Sequence, residues 1–371
     1  MKRNLLFIFL FLIAILSVVN LYNCEYRRSF NHNLPSNHPM VKIQERLESL
    51  IEYSKDSVVK ITGGERSDVI LDFNNFNYRD WIIGSGFVFK KDNKFLYIMT
   101  NYHVVDKIKN IRISFNNGYE ADGKLLGKDK ATDVAVIRVK LSKEIRDIEP
   151  LPFRPNFENI KAGDIVLVAG VPYNLKLSYT LGIVSALNVN PGISEYEDYI
   201  QVNASINPGN SGGPVLDIFG YIVGMCVATV QYGQGIGFVI PSETLKYVAE
   251  ELIKYGKVRR GWLGITVDSA GKIRPDKTKY GVMVINVEPN SPAEKSGLKT
   301  GDIILQIDNT KVIDADNFKE IEERLKPGQV VRVKILRSDG KEYKTIILYI
   351  KAGEKKEDDF DKFSSYDNYD F

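Results

Sequence analysis

Short apolar or alternating runs, separated by Gly, Asn, Asp and Pro, recur from residue 57 to residue 240 of this chain. Many short strands with turn signals between them are typical of an all-β barrel or sandwich. The runs lie at residues 57–62, 82–89, 95–99, 111–115, 134–139, 165–169, 221–227 and 237–240. The sequence therefore predicts a first domain built mostly of β-strands, preceded by one helix at residues 41–53, where the apolar residues have helical spacing.

The length and the charge of the chain narrow the classes of function. With 371 residues, the chain has room for two or three domains of ordinary size. Its formal net charge is +3, and its acidic and basic residues are interspersed. No basic stripe with interleaved aromatic residues is present, so we expect no nucleic-acid partner.

Cysteine and histidine are both scarce in this sequence. There are two cysteines, Cys24 and Cys226, and three histidines. A disulfide framework is therefore not expected, and folding must depend on burial of a core. Because no histidine is spaced with a cysteine as metal ligands are, we expect neither a metal site nor a cofactor.

The N-terminus has the composition of an export signal. Lys2 and Arg3 precede an almost purely apolar run at residues 5–19. No small-x-small cleavage site follows, so we predict that residues 1–22 are retained as a single membrane anchor, with cleavage and secretion as the alternative. The two basic residues favour a cytoplasmic N-terminus, which places the rest of the chain on the periplasmic or extracellular side of the cell membrane.

Composition also divides the rest of the chain into segments. Residues 23–40 are rich in Asn, Pro and Ser and are predicted to be a linker, whereas the acidic residues 352–371 are predicted to be a disordered tail. Between them we expect the β-domain at residues 41–256 and a smaller α+β domain at residues 260–351.

Two helices of the smaller domain are indicated by their ends and their apolar stripes. In the first helix, Ser291 is the expected N-cap and Glu294 completes a capping box. The second helix carries apolar residues at Phe318, Ile321 and Leu325. We expect Ile321 and Leu325 in the core, and Phe318 either in the core or in the wall of a groove.

The most informative segment is Asn-Pro-Gly-Asn-Ser-Gly-Gly-Pro at residues 207–214. The glycines around Ser211 let the backbone turn tightly and leave no side chain to block a substrate. The amides of Gly209 and Ser211, with Asn210 between them, can point at one spot, and we assign the oxyanion hole to Gly209 and Asn210. The alternative is a glycine-rich hairpin turn.

A serine nucleophile needs a base, and His103 is the candidate. It follows an apolar strand, at a point where a side chain can leave a sheet, whereas His32 and His38 both fall in the linker. The alternative is a structural histidine that is hydrogen-bonded at a strand end.

A carboxylate should orient the imidazole and stabilise the imidazolium. Asp133 precedes the apolar run at residues 134–139, where an acid is expected to be partly buried and to need a partner. Asp106 and Asp129 are alternatives, although we interpret both as solvated residues of turns.

These three segments resemble the catalytic motifs of the HtrA/Deg family of serine proteases. The motifs lie at residues 99–105, 132–137 and 207–214, in the order His, Asp, Ser, and the whole similarity covers residues 41–350. The resemblance implies that the first domain is an all-β, chymotrypsin-like double barrel.

The resemblance also implies a serine endopeptidase. His103 would be the general base, Asp133 would orient it, and Ser211 would attack the peptide carbonyl. The expected substrates are unfolded or membrane-protein polypeptides, in quality control or stress signalling of the cell envelope, and the expected assembly is a homotrimer. A chaperone or scaffold with weak or no proteolysis is the alternative.

Two residues depart from the patterns of related proteases. Digestive relatives have Asp directly before the serine, where it pairs with a newly cut N-terminal amine, but this chain has the neutral Asn210. Activation by N-terminal cleavage is therefore not expected. Asn203 replaces an acid that family members often carry ahead of the serine motif, which argues against an activation-loop contact made by that acid.

The primary specificity pocket is expected between residues 204–206 and residues 236–238. We assign its walls to Ser205, Ile206, Ile236, Gly237 and Phe238. Because these segments contain no carboxylate, a cationic side chain buried there would lack a counter-charge. We predict small or medium aliphatic residues at the cleaved position, as the family generally prefers.

The second domain resembles a PDZ domain of the HtrA type. Gly-Trp-Leu-Gly-Ile at residues 261–265 matches the carboxylate-binding loop, whose amides capture a peptide C-terminus while the peptide adds as a strand. We assign the binding of C-terminal peptides to Trp262, Leu263, Gly264 and Ile265. One PDZ domain, an anchor and a short loop at residues 63–81 resemble the membrane-anchored, DegS-like branch of the family.

The neutral Asn210 implies that the PDZ-like domain controls catalysis. Since the ion pair that orders the oxyanion loop in digestive relatives cannot form, another contact must set this loop. We expect a docked peptide to do so through its differential affinity for two states of the active site. The expected route is the loop at residues 188–199, whose Pro-Gly pair and acidic residues favour mobility.

Overall fold

The computed structural model describes residues 35–63, 82–155, 159–194, 198–229, 235–269, 280–340 and 342–355. The predicted membrane anchor, most of the predicted linker and most of the predicted tail lie outside the described residues, as does almost all of the loop before residue 82. Within the described ranges, no helix is both long enough and apolar enough to cross a membrane.

The chain enters the first domain through a helix, α1 (Pro39–Ser54). Pro39 occupies the start of this helix, where its missing N–H is not needed. The Nδ1 atom of His38 accepts the backbone N–H of Met40 at 3.2 Å and caps the helix. His38, which the sequence places in a linker, is therefore part of a helix end.

Six antiparallel strands form the first barrel. They are β1 (Val58–Gly63), β2 (Ile82–Lys91), β3 (Phe95–Thr100), β4 (Ile111–Ser114), β5 (Glu120–Asp129) and β6 (Val134–Lys140). The barrel closes in the order β1-β2-β3-β6-β5-β4, and a one-turn helix, α2 (Tyr102–Val105), follows β3. Its interior is filled by fully buried aliphatic side chains such as Ile61, Ile98 and Ile137.

The second barrel repeats this plan with six further strands. They are β7 (Ile165–Gly170), β8 (Ser178–Val189), β9 (Tyr199–Val202), β10 (Pro214–Asp217), β11 (Ile222–Thr229) and β12 (Gly237–Pro241). The barrel closes in the order β10-β11-β12-β9-β8-β7, with a short 3-10 helix (Pro172–Asn174) between β7 and β8. The double barrel expected from the resemblance is therefore present.

A helix after β12, α3 (Ser242–Tyr255), packs on both barrels. Its buried Leu245, Val248 and Leu252 lie in one apolar cluster with Leu50 of α1 and with residues of the two barrels. The helix ends at Gly256, which has a left-handed φ of 73°. Burial of this shared cluster holds the barrels together and fixes the cleft between them.

The third unit is a small sheet with two helices, as predicted. Its elements are β13 (Gly261–Trp262), β14 (Ile265–Ser269), β15 (Val282–Val287), α4 (Pro292–Lys295), β16 (Ile303–Ile307), β17 (Thr310–Lys311), α5 (Ala315–Glu323), β18 (Val330–Ser338), β19 (Tyr343–Lys351) and β20 (Gly353–Glu354). The sheet order is β14-β15-β16-β18-β19, with β17 on β16, while β13 pairs with β20.

The expected helix signals of this unit are confirmed. Ser291 Oγ accepts the N–H of Glu294 at 3.1 Å, and the Glu294 carboxylate accepts the N–H of Asn290 at 2.6 Å. Phe318 and Leu325 are buried in the core, and Ile321 is partly buried against it. Phe318 is therefore a core residue.

Candidate active site

His103 and Asp133 face each other at one end of the first barrel. His103 lies in α2, directly after β3, and Asp133 lies in the turn between β5 and β6. His103 Nδ1 is 2.8 Å from Asp133 Oδ2, and the backbone N–H of His103 donates to Asp133 Oδ1 at 3.0 Å. Because His103 contacts both carboxylate oxygens of Asp133, the orientation of the ring relative to the carboxylate is fixed.

The backbone of Asp133 is strained and is held in place by hydrogen bonds from two other residues. Its φ is +55°, in the left-handed region that costs an L-residue about 1–2 kcal/mol. The Asp133 carbonyl accepts two hydrogen bonds, from Asn101 Nδ2 at 3.0 Å and from the N–H of Tyr102 at 3.1 Å. The residues that precede His103 therefore hold the acid in place.

The pKa of His103 is shifted by its surroundings. Partial burial of the ring lowers the pKa, but the hydrogen bond and the negative charge of Asp133 raise it, and the net direction is upward from the ordinary value of 6.5. The protonated ring is therefore stabilised where it lies, as expected of a base that must carry a proton during a reaction.

The other two candidate acids have cations of their own. Asp106 pairs with Lys128. Both oxygens of Asp129 accept from the guanidinium of Arg260, at 2.7 Å and 2.6 Å, and both side chains of this pair are buried. The interpretation of Asp129 as a solvated turn residue is wrong, because its counter-ion comes from a segment that is distant in sequence. Of these three acids, the structure brings Asp133 to the histidine.

Ser211 lies on a tight turn just before β10. Gly212 has a φ of +83°, and a Cβ there would lie 2.1 Å from the carbonyl oxygen of Ser85. Ser211 Oγ donates to the carbonyl of Val227 at 2.9 Å, and among the described residues it makes no hydrogen bond to His103. The hydroxyl is therefore hydrogen-bonded within its own barrel, to β11, and not to the histidine.

The amides of the serine loop differ in their availability. The N–H of Asn210 donates to the carbonyl of Asn207 at 2.9 Å, so the assignment of Asn210 as an oxyanion donor is wrong. Within the described ranges, the N–H groups of Gly209 and Ser211 donate to no protein group. The Pro208 carbonyl accepts from the N–H of Tyr173 at 3.0 Å, and since a trans peptide is planar, the N–H of Gly209 points the opposite way.

Ser85 in β2, which the sequence interpretation missed, fixes this loop. Its hydroxyl donates to the Gly209 carbonyl at 2.6 Å and accepts from the N–H of Val171 at 2.9 Å, while its own N–H donates to the Ser211 carbonyl at 2.8 Å. Ser85 is fully buried. The only signal in the sequence is a serine between two glycines inside an apolar strand.

The structure does not bring all the residues assigned to the specificity pocket together, because Ile206 belongs to one apolar cluster and Phe238 to another. An added Cβ at Gly237 would lie 2.4 Å from Ile206 Cδ1, so the two residues are in close contact. Phe238 is buried against Tyr199 with a ring separation of 6.0 Å, and Ile236 is partly buried in the same cluster. Ser205 is exposed. Asn203 Oδ1 accepts the N–H of Ile183 in β8 at 2.7 Å, a structural role for that residue.

The loop assigned to peptide binding is rigid and precedes an edge strand. Gly264 has a φ of +79°, and a Cβ there would lie 2.3 Å from Ser291 Cβ, so no other residue fits. The carbonyl of Leu263 accepts from the N–H of Ala293 at 3.0 Å. In the described sheet β14 is an edge strand, and α5 contacts it, which leaves the outer edge of β14 facing this helix.

Comparison with known proteins gives two domain matches. Residues 84–225 match the family model described as a trypsin-like peptidase domain. Residues 261–348 match the model described as a PDZ domain. The two matches correspond to the double barrel and to the third unit.

Curated relatives and solved structures agree with these matches. The chain is 37% identical over 270 residues to a probable periplasmic serine endoprotease, DegP-like, of Chlamydia trachomatis, which covers 70% of this chain and 52% of the relative. The chain thus spans about half the length of that relative. A structure of the HtrA-type protease AlgW with a tripeptide has a TM-score of 0.70 and 29% identity, covering 83% of this chain and 97% of the chain in that structure. The serine endoprotease from Yersinia pestis has a TM-score of 0.63 and 30% identity, covering 83% and 98%.

The Asp133 contact predicts a shifted titration of His103. We expect the ring to titrate above 6.5 and the Asp133→Asn variant to lower this pKa, because the amide carries no charge. An NMR pH titration of the histidine ring signals measures both values. Asp106→Asn removes a neighbouring acid that pairs with Lys128, and it should leave the His103 titration nearly unchanged. Equal shifts in the two variants would contradict the assignment of Asp133.

The Ser85 contacts predict that Ser85→Ala loosens the serine loop. The change leaves two backbone groups without partners, which costs about 1–3 kcal/mol. We expect labelling of Ser211 by a serine-directed organophosphonate to slow by about tenfold or more. Ser57→Ala is the control, since Ser57 is also buried in the first barrel and donates to a carbonyl, that of Glu149 at 2.6 Å. Equal slowing in both variants would show that the effect is general destabilisation.

Proposed function

The chain belongs to the HtrA-type serine endoproteases, and we propose that it hydrolyses internal peptide bonds with Ser211 as nucleophile, His103 as general base and Asp133 as the residue that orients the base. The observation that carries this proposal is the two-point contact between His103 and Asp133 beside a serine loop with two available amides. No other acid of the three candidates makes such a contact.

The reaction begins when Ser211 Oγ leaves the Val227 carbonyl and turns towards His103. The ring accepts the hydroxyl proton while the oxygen bonds to the substrate carbonyl carbon, and the resulting oxyanion accepts from the amides of Gly209 and Ser211. The protonated ring then gives its proton to the leaving amine, and a water molecule hydrolyses the acyl-enzyme in the same way. Because only the neutral ring accepts a proton, turnover rises with pH through a value above 6.5.

We propose small or medium aliphatic side chains at the cleaved position. Ile206 lies against Gly237, so this wall of the pocket is apolar and narrow, whereas Phe238 is buried in a separate apolar cluster. None of the five residues assigned to this pocket is acidic. A lysine or arginine side chain would therefore be buried without a counter-charge.

The location and the partners follow from the family and from the sequence. We propose a protein of the cell envelope, held by residues 1–22, with unfolded or membrane-protein polypeptides as substrates and a homotrimer as its assembly. The Chlamydia relative is named as periplasmic, and the AlgW structures contain bound peptides. By the same likeness, residues 262–265 bind C-terminal peptides as an added strand beside β14.

We also propose that the PDZ domain controls the protease. Two contacts between the domains support this. The buried Arg260, next to β13, holds Asp129, whose Oδ2 also accepts from the N–H of Thr132 at 3.1 Å, one residue before Asp133. Asp198, before β9, lies near α5, because Arg324 and Glu320 both act on it electrostatically. The second contact lies at the end of the route expected from the sequence, whereas the first was not expected.

The catalytic proposal predicts that Ser211→Ala and His103→Ala each lower casein hydrolysis by about 10⁵–10⁶, with the double variant little worse, because the residues act as a unit. Turnover by the full chain is measured with each variant. Ser49→Ala, on the exposed side of α1, is the control and should keep full activity. A tenth of normal turnover in Ser211→Ala would rule out Ser211 as the nucleophile.

The Arg260–Asp129 contact predicts that Arg260→Ala uncouples the domains. Removing one partner of a buried pair destabilises by about 3–5 kcal/mol, so the double variant Arg260→Met with Asp129→Asn is needed to separate stability from coupling. We expect activation by C-terminal peptides, about 5–150-fold in the normal protein, to fall towards one in both variants. The readout is hydrolysis of a substrate too short to span both domains.

Arg259→Ala is the matched control for this experiment. Arg259 is adjacent in sequence, but it pairs with Glu251 of α3 and not with the first barrel. Peptide activation should persist in this variant. Full activation in the Arg260–Asp129 double variant would show that the signal does not pass through this pair.

A further inference from the structure

A carboxylate of the protein itself accepts a hydrogen bond from a backbone amide of the proposed peptide-binding loop. Glu322 lies in the last turn of α5, and its Oε1 accepts the backbone N–H of Leu263 at 3.1 Å. Leu263 is one of the residues whose amides would capture a peptide carboxylate. The peptide ligand and Glu322 would therefore each bind the Leu263 N–H through a carboxylate.

The backbone N–H of Leu263 has no remaining capacity for a ligand in this state. Its carbonyl accepts from the N–H of Ala293 at 3.0 Å, and its N–H is taken by Glu322. Leu263 is fully buried, and Gly264 is packed against Ser291 in a left-handed conformation. The loop cannot easily turn to offer this amide elsewhere, so a ligand must displace the Glu322 carboxylate.

The surroundings of Glu322 raise its pKa on balance. Burial, the largest effect, raises the pKa of Glu322, and so does the nearby Glu288, whereas the Leu263 N–H and Lys355 lower it. A second carboxylate at this place would add like-charge repulsion in a site that is partly shielded from water. Such repulsion is the means by which a site rejects one class of ligand.

We propose that Glu322 is a specificity-determining residue of the PDZ domain: its ionised carboxylate competes with ionised peptide C-termini for the Leu263 amide and weakens their binding, and protonation or removal of Glu322 strengthens it. This inference rests on the proposed role of residues 262–265 in peptide binding. It makes the capture of a terminal carboxylate conditional on the state of one side chain of α5.

The pH dependence of binding has a definite sign. Glu322 becomes neutral as the pH falls through its raised pKa, while a peptide carboxylate, with an ordinary pKa of about 3.3–3.7, stays ionised. Lys355 attracts the Glu322 carboxylate, and it would attract a peptide carboxylate in the same way. Binding of free-acid peptides should therefore strengthen as the pH falls through the raised pKa of Glu322, whereas binding of amidated peptides should change little.

The test uses the full chain carrying Ser211→Ala, so that no peptide is cut, with or without Glu322→Ala or Glu322→Gln. The probe is an array of decapeptides with randomised last four residues, printed with free or with amidated C-termini. We expect both variants to bind free-acid peptides about ten- to a hundredfold more tightly at pH 7.5, and to lose the pH dependence. Glu320→Ala is the control, because it removes the same charge from an exposed position of the same helix.

The outcomes separate this inference from the proposed function. If the full chain carrying Ser211→Ala binds free-acid peptides as tightly without a Glu322 change as with either one, peptide binding stands and the role of Glu322 is overturned. If Glu320→Ala has the same effect as Glu322→Ala, the effect is the net charge of the helix and the inference is again overturned. If none of the proteins binds any peptide between pH 5 and pH 8, the peptide-binding function itself is wrong, and the inference is wrong with it.

Discussion

The geometry of the active site depends on the contact between β2 of the first barrel and the serine loop of the second. His103 and Ser211 belong to different barrels, so their separation is set by how closely the barrels approach. At this contact the N–H of Ser85 donates to the Ser211 carbonyl, and Gly212 lies where a Cβ would be 2.1 Å from the Ser85 oxygen. A larger residue at position 212 would push the barrels apart and remove the nucleophile from its base.

The fixed and the changeable parts of the site are clearly divided. Asp133, His103 and the Gly209 carbonyl are each held by hydrogen bonds with short distances, from 2.6 to 3.1 Å. The Ser211 side chain, in contrast, makes a single hydrogen bond within the described ranges, to the Val227 carbonyl, and a change of rotamer would release it. A control device acting on this site therefore needs to supply only a small free energy, in the range that a coupling between domains provides.

The sequence predicts the chemistry better than it predicts the contacts that support it. The body of the chain has a single histidine, and the glycines around Ser211 are conspicuous, so these residues could be found by type and spacing. Four strands of the double barrel were not predicted. Strands β5 and β8 have mostly exposed and half-buried residues and both contain glycine, and β5 also carries charged residues, whereas β9 and β10 have only four residues each. Ser85 and Asp129 were missed or misread because their partners lie 124 and 131 residues away in the chain, a separation that no local pattern reports.

Because Arg260 is buried against the first barrel, the point where the two domains meet along the chain differs from the point where their stabilising contacts divide. By strand assignment the PDZ domain begins at Gly261, and Arg260 belongs to the segment that leads into it. By contact, however, its guanidinium is part of the first barrel, where it is the counter-ion of a buried aspartate. A protease fragment that ends at residue 259 would keep every strand of both barrels and yet leave Asp129 buried without its cation. A fragment that ends one residue later would retain the pair, so the independence of the catalytic domain turns on where the chain is cut.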